Sequence, residues 1–157
     1  MINRAIEITK FSSHRVREAV IAGFCRTPFG KYRGSLSDIE ATKLGSIAIS
    51  GLLDSLSLNP MSGVIDGVYM GMVLQAGAGQ APARQASIGA GLPFDTPATT
   101  LNKVCGSSLK AVMIAAMEIE SGRSNVIIAG GMESMSRAPM IAENVSKGEP
   151  VEYSCLL

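Results

Sequence analysis

Asn102-Lys103-Val104-Cys105-Gly106-Ser107-Ser108-Leu109-Lys110-Ala111 sets one cysteine between two segments of different periodicity. Upstream, Thr96 to Val104 is rich in β-branched residues and predicts a strand. Downstream, Ser107 to Ser121 predicts a helix ended by Gly122, with Leu109, Val112, Met113, Ala116 and Met117 on its apolar side. Cys105 then sits at a helix N-terminus. The first amides of a helix have no intrahelical partner, and the dipole is positive at that end. Both effects favour the thiolate, which is the nucleophile. Gly106, Ser107 and Ser108 leave space around the sulfur, and free amides can hold the oxygen of a thioester or tetrahedral intermediate. A free cysteine is otherwise a small buried hydrophobe. The local pattern alone leaves both readings open.

The rest of the chain alternates strand and helix. Glu18 to Cys25 is apolar throughout after its first residue and predicts a short buried strand, with Cys25 in the core. Ser37 to Ser55 predicts a helix capped by Ser37 or Asp38, with Ile39, Leu44, Ile47, Ala48 and Leu52 near helical spacing. Gly67 to Leu74 predicts a strand. Gln80 to Ala90 predicts a helix with Pro82 in its first turn, closed by Gly89 and Gly91. Asn125 to Ala129 predicts a last strand. Short links between alternating elements imply an α/β fold, a βαβαβαβ unit with right-handed crossovers.

Four stretches, in order, identify a family resemblance. Thr99 to Ala111 resembles the active-site segment of thiolases, in which a cysteine accepts an acyl group. Arg26-Thr27-Pro28-Phe29-Gly30 with Gly34-Ser35-Leu36 resembles the opening strand and loop of that family. Met72 to Ala86 and Ala129-Gly130-Gly131-Met132-Glu133-Ser134-Met135-Ser136 resemble two further signatures. The resemblance runs from Ala19 to Pro139. Asn102-Lys103-Val104-Cys105-Gly106 is closer to the acetoacetyl-CoA branch than to the long-chain degradative branch. Ser108 departs from the family, where a glycine is usual.

This resemblance implies a thiolase-like amino-terminal half with a mixed sheet. It implies residues 1–17 as a leader or disordered terminus, 18–139 as the amino-terminal domain and 140–157 as the start of a loop domain. The implied reaction is acetyl-CoA C-acetylation, in lipid and ketone-body metabolism, with Cys105 as the acyl-accepting nucleophile. Coenzyme A thioesters are the implied substrates, with no metal and no covalently bound cofactor. The CoA-binding residues are not assigned. Thiolases also use an asparagine, a histidine in a Gly-His-Pro motif and a second cysteine in a Cys-x-Gly motif. None of these motifs occurs here, and the one histidine is His14. The chain therefore reads as an amino-terminal fragment, expected to be inactive by itself. A ketoacyl synthase-like condensing enzyme is the runner-up, disfavoured by Lys103 and by Gly130 to Met135. A non-catalytic assembly module or remnant is the reading from another class.

Composition narrows the partners. Net charge is +1, which gives no case for nucleic acid or a membrane surface. No apolar run reaches the length of a membrane-spanning helix. Cys25, Cys105 and Cys155 follow no disulfide or metal spacing, which fits a reducing compartment. Arg4, Lys10, Arg15 and Arg17 are compatible with a mitochondrial leader, while Glu7 argues against one, so mitochondrial and cytoplasmic locations both stand. Seventeen glycines and few aromatics imply helices packed close to sheets. An apolar patch is expected where a covering partner is lacking. The resemblance implies a homodimer or homotetramer, paired antiparallel through the Thr96 to Val104 edge.

Several residues near Cys105 carry two readings. Gly77-Ala78-Gly79-Gln80 lacks the lysine of a phosphate loop, and Gln80 is expected to order the loop rather than act directly. Met132 and Met135 suit either an acyl pocket or plain packing. Glu133 is expected to be a hydrogen-bonded, buried carboxylate. Lys103 and Lys110 flank the nucleophile and are expected at the surface. Cys155 is assigned no role.

Overall fold

The computed structural model of the chain describes residues 17–142 and 153–154. Three α-helices alternate with three strands: α1 (Ala41–Ser55), β1 (Gly67–Gly71), α2 (Pro82–Gly89), β2 (Ala98–Leu101), α3 (Ser107–Glu120) and β3 (Ile127–Gly131). Two further pieces, β4 (Ile141–Ala142) and β5 (Tyr153–Ser154), pair antiparallel with each other. The α/β class is as the sequence implied.

The main sheet is parallel, in the order β2-β1-β3. No antiparallel strand joins it among the described residues, so the expected mixed sheet is parallel here. Its central strand β1 sorts its residues by period two. Val68, Met70 and the following Met72 join a core with Ile49 and Leu53 of α1 and Ala83 and Ala86 of α2. Tyr69 and Gly71 face α3 instead. The Tyr69 hydroxyl donates to Glu118 Oε1 at 2.7 Å. That bond, with partial burial and the carboxylate's charge, holds the phenol's pKa above its usual 10.0. Both faces of β1 are covered, which is why it is apolar almost throughout.

The strand order explains the helix placement. The chain steps from β1 to β2 through α2, then returns past β1 to β3 through α3. Two steps in opposite directions with the same hand put their helices on opposite faces. α1 lies on α2 through small residues. A Cβ on Gly45 would meet Ala86 Cβ at 3.2 Å, and one on Gly89 would meet Ser46 Oγ at 2.9 Å.

Four expectations are corrected. Glu18 to Cys25 forms no strand, and among the described residues none of its backbone groups joins a ladder. Val20, Ile21 and Phe24 are exposed, and Cys25 is exposed rather than in the core. The segment lies against α1 by side chains alone: a Cβ on Gly51 would reach Cys25 Sγ at 2.8 Å. Next, α1 begins at Ala41, and neither Ser37 nor Asp38 caps it. Residues 31–39 are drawn into successive turns, Gly34 N–H to Lys31 O and Ile39 N–H to Leu36 O, and Ser134 Oγ donates to Ile39 O at 2.8 Å. The buried face of α1 is Thr42, Gly45, Ser46, Ile49 and Leu53, and Ile47 is exposed. Small residues take this face because α2 comes too close for larger ones. Last, α3 buries Ser107, Ala111 and Ala115 against the sheet for the same reason. Its apolar stripe points outward: Leu109, Met113 and Met117 are 66%, 50% and 61% exposed. Such an outward patch is what the composition led one to expect. The leader through Val16, His14, Cys155 and most of 140–157 lie outside the described residues.

The entry to the sheet is pinned by Asp66. Its carboxylate Oδ2 accepts from the amides of Asn125 at 2.6 Å and Val126 at 3.0 Å. These two bonds hold its pKa below the ordinary 3.8, against a small opposing effect of burial. A depressed carboxylate pKa contributes stability that is present above the unfolded value and lost as pH falls through the folded one. Thermal melts of the parent and Asp66→Asn are therefore expected to differ at pH 7 and to draw together as pH falls below the ordinary carboxylate value of 3.8. A gap that stays constant down to pH 2 contradicts this role.

Candidate functional site

Cys105 sits in the turn between β2 and α3. The helix begins at Ser107 with Gly106 as its N-cap. The thiol is exposed. The N–H groups of Cys105, Ser108 and Leu109 donate to no protein group among the described residues, as expected for a first turn. Ser107 N–H is taken, donating to Val104 O at 3.1 Å. The sequence-predicted nucleophile thus lies just before a helix terminus, next in sequence to amides without a partner among the described residues.

The turn is sharp because Val104 takes φ +48°, in the left-handed region. A β-branched residue is rarely found there. Both its polar groups are held. Its N–H donates to Asn102 Oδ1 at 2.8 Å, and its carbonyl accepts from Ser107 Oγ at 2.6 Å. Ser107 Oγ also accepts from Lys103 N–H at 2.8 Å. The buried Ser107 is thereby both donor and acceptor, which explains a hydroxyl at a covered position.

The first turn of α3 rests on the carboxyl ends of β1 and β3. Gly71 and Gly131 are register partners there. A Cβ on Gly71 would meet the Ser107 carbonyl carbon and Cβ at 2.6 Å and Ser108 N at 2.7 Å. A Cβ on Gly131 would meet Ser108 Cβ at 2.8 Å. The chain leaves adjacent strands β1 and β2 toward helices on opposite faces. In open α/β sheets such a point leaves a crevice at the carboxyl ends of the strands, the usual ligand position. Asn102 spans it: its Nδ2 donates to Val73 O at 3.2 Å.

The neighbouring loop is ordered by residues that sequence reasoning passed over. Gln85 of α2 donates through Nε2 to Ala78 O at 2.7 Å and Gln80 O at 2.9 Å. Gln80 itself is exposed and supplies only its carbonyl, so the ordering role belongs to Gln85. A glutamine in the first turns of a helix after a glycine-rich loop is the signal that was available. Glu133 is hydrogen-bonded as expected, accepting from Val73 N–H at 2.8 Å and Leu74 N–H at 3.2 Å, but it is half-buried rather than buried. Met132 packs in the core, and Met135 is largely exposed. Lys103 is exposed and Lys110 half-buried. A small cavity of about 70 Å³ lies beside Thr42, Met72, Leu74 and Arg137, away from Cys105. Among the described residues no three His, Cys, Asp or Glu side chains cluster as a metal site, and no helix is long and apolar enough to cross a membrane.

Comparison with known proteins agrees with this geometry. The thiolase N-terminal domain matches residues 19–154. The chain belongs to the thiolase family. It is 56% identical over 126 residues to the mitochondrial acetyl-CoA acetyltransferase of Danio rerio, covering 80% of this chain and 30% of that protein. It is 50% identical over 138 residues to the Homo sapiens mitochondrial acetyl-CoA acetyltransferase, covering 88% and 32%. Against the Xenopus laevis mitochondrial acetyl-CoA acetyltransferase B the figures are 52% over 139 residues, 87% and 33%. The chain thus spans about a third of the length of the curated relatives it matches.

The Gly71 contact is open to a direct measurement. Gly71→Ala is expected to cost about 1–3 kcal/mol by overpacking against backbone that cannot retreat. Gly67→Ala, on the same strand, meets nothing nearer than 3.8 Å and is expected to cost clearly less. Urea unfolding of the two variants checks the order, and equal losses would contradict the close helix approach.

Proposed function

We propose that this chain carries the acyl-accepting part of an acetyl-CoA C-acetyltransferase, which joins two acetyl-CoA molecules reversibly into acetoacetyl-CoA and CoA. The observation that carries this reading is an exposed Cys105 in the turn just before α3, beside amides with no protein partner among the described residues. The names of its relatives point to the same substrate. The Cys105 sulfur attacks the thioester carbonyl carbon of acetyl-CoA. The oxygen of the tetrahedral intermediate draws on the free amides. The carbon–sulfur bond to CoA breaks, CoA leaves as its thiolate, and the acetyl group stays on Cys105 as a thioester. A second acetyl-CoA then loses an α-proton to a base. Its enolate carbon attacks the acetyl-enzyme, and the Cys105 thiolate leaves.

The second half-reaction asks for a base. Among the described residues, the turn around Cys105 is held by amides and hydroxyls, and no carboxylate or imidazole is hydrogen-bonded within it. General acid–base groups contribute roughly 100- to 10,000-fold each. We therefore place acetylation, and not condensation, within reach of this chain alone. Mitochondria are the proposed compartment, on the names of the relatives and the basic residues before Glu18.

The test is incubation with acetyl-CoA followed by peptide mass spectrometry. A slow, single acetyl addition on Cys105, absent from Cys105→Ala, is expected, with no detectable acetoacetyl-CoA. Because Cys25 is also exposed, access does not separate the two thiols. Iodoacetamide is expected to alkylate Cys105 faster than Cys25 or Cys155, because Cys105 has a helix terminus beside it. Equal labelling with no acetylation would support the second reading, an assembly module, which the outward Leu109, Met113 and Met117 favour.

The sheet order leaves one side of β2 without a strand among the described residues. We place the homo-oligomer contact there, as antiparallel pairing of two β2 strands about a twofold axis. Sedimentation is expected to show a species of twice the 16.4 kDa chain mass. A clean monomer at high concentration would overturn this contact.

A further inference from the structure

We propose that Asn102 is a positioning residue for Cys105: its side-chain amide fastens the left-handed Val104 turn to the loop after β1 and so sets where the sulfur sits. The proposal rests on the acyl-acceptor reading of Cys105. Val104 stands at φ +48° directly before the cysteine. Side-chain and carbonyl sterics disfavour that conformation for a β-branched residue, and it persists only where its surroundings over-determine it. Ser107 holds the carbonyl of Val104 from the helix side. Among the described residues only Asn102 holds its N–H, through Oδ1 at 2.8 Å.

Asn102 is in turn anchored. Its Nδ2 donates to Val73 O at 3.2 Å, across the crevice between the β1 and β2 exits. The N–H of that same Val73 donates to Glu133 Oε2 at 2.8 Å, and Leu74 N–H donates to Oε1 at 3.2 Å. Glu133 lies two residues beyond β3. One line of hydrogen bonds therefore joins the carboxyl ends of three strands and finishes at the residue before the sulfur. Asparagine suits this link because one side chain carries both an acceptor for Val104 and a donor for Val73. Alanine lacks both. Serine keeps one oxygen for the N–H two residues on, more weakly, and adds no charge.

The strain provides its own test. Glycine adopts φ near +48° without steric cost, so a glycine at 104 does not need the clamp. The chain and its variants are treated with limiting iodoacetamide, and alkylation of Cys105 is measured against Cys25 as an internal reference. Asn102→Ala is expected to slow Cys105 about tenfold with Cys25 unchanged. Asn102→Ser is expected to give a smaller loss. The double variant Asn102→Ala/Val104→Gly is expected to regain most of the rate, which a general structural role for Asn102 does not predict. An unchanged Cys105-to-Cys25 ratio in Asn102→Ala, or a double variant as slow as the single one, overturns the role of Asn102. If circular dichroism shows that Asn102→Ala unfolds, Asn102→Ser decides by the same ratio. Equal labelling of Cys105 and Cys25 in the parent overturns the acyl-acceptor reading, and this inference with it.

Discussion

The closeness of α3 to the sheet is the constraint on which the Cys105 turn depends. The helix can start where it does only because Gly71 and Gly131, partners in register, present no side chains beneath it. Ser107 and Ser108 occupy the space a Cβ from either glycine would need. Glycine in a strand interior weakens the strand and often marks such a close approach of another backbone. The same economy of size runs down the helix, which meets the sheet with Ala111 and Ala115. A Cβ on Gly71 or Gly131 would meet Ser107 or Ser108 closer than 3.0 Å, so something in the first turn of the helix would have to shift.

That close approach leaves a short, steep path from β2 into α3. Leu101 ends the strand and Ser107 begins the helix, so five residues must reverse direction. The path is completed by one residue in a disfavoured conformation, Val104, with its N–H and carbonyl both engaged. Strain of this kind is characteristic of sites where a side chain has to be held out from the fold. Here the residue that follows it, Cys105, is exposed, and its N–H has no partner among the described residues.

The outward surfaces follow from the same geometry. A parallel sheet needs cover on both faces, and α3 supplies one side of it with its small residues. The larger apolar residues of α3 are then turned away from the sheet. Leu109, Met113 and Met117 are exposed, as are Phe24 and Phe29 in the segment before α1. Exposed apolar area on this scale marks interaction surfaces.

Much of the site was legible in the residues themselves. Periodicity located β1, β2, α3 and β3 to within a few residues, and the run Asn102 to Ala111 put Cys105 on a strand-to-helix turn. These are local properties, decided by neighbours along the chain, and the family resemblance rests on them too. What the residues did not disclose concerns groups distant in sequence. Asn102 meets Val73, and Val73 meets Glu133, across 29 and 60 positions. Gln85 rather than Gln80 orders the glycine loop because the helix direction aims it back. The apolar run before Cys25 and the stripe on α3 read as core, since an apolar pattern reports what can be buried and not what covers it. Only the packed arrangement of β1, α2 and α3 decided which faces meet, because small residues that permit backbone contact carry no periodic apolar signal.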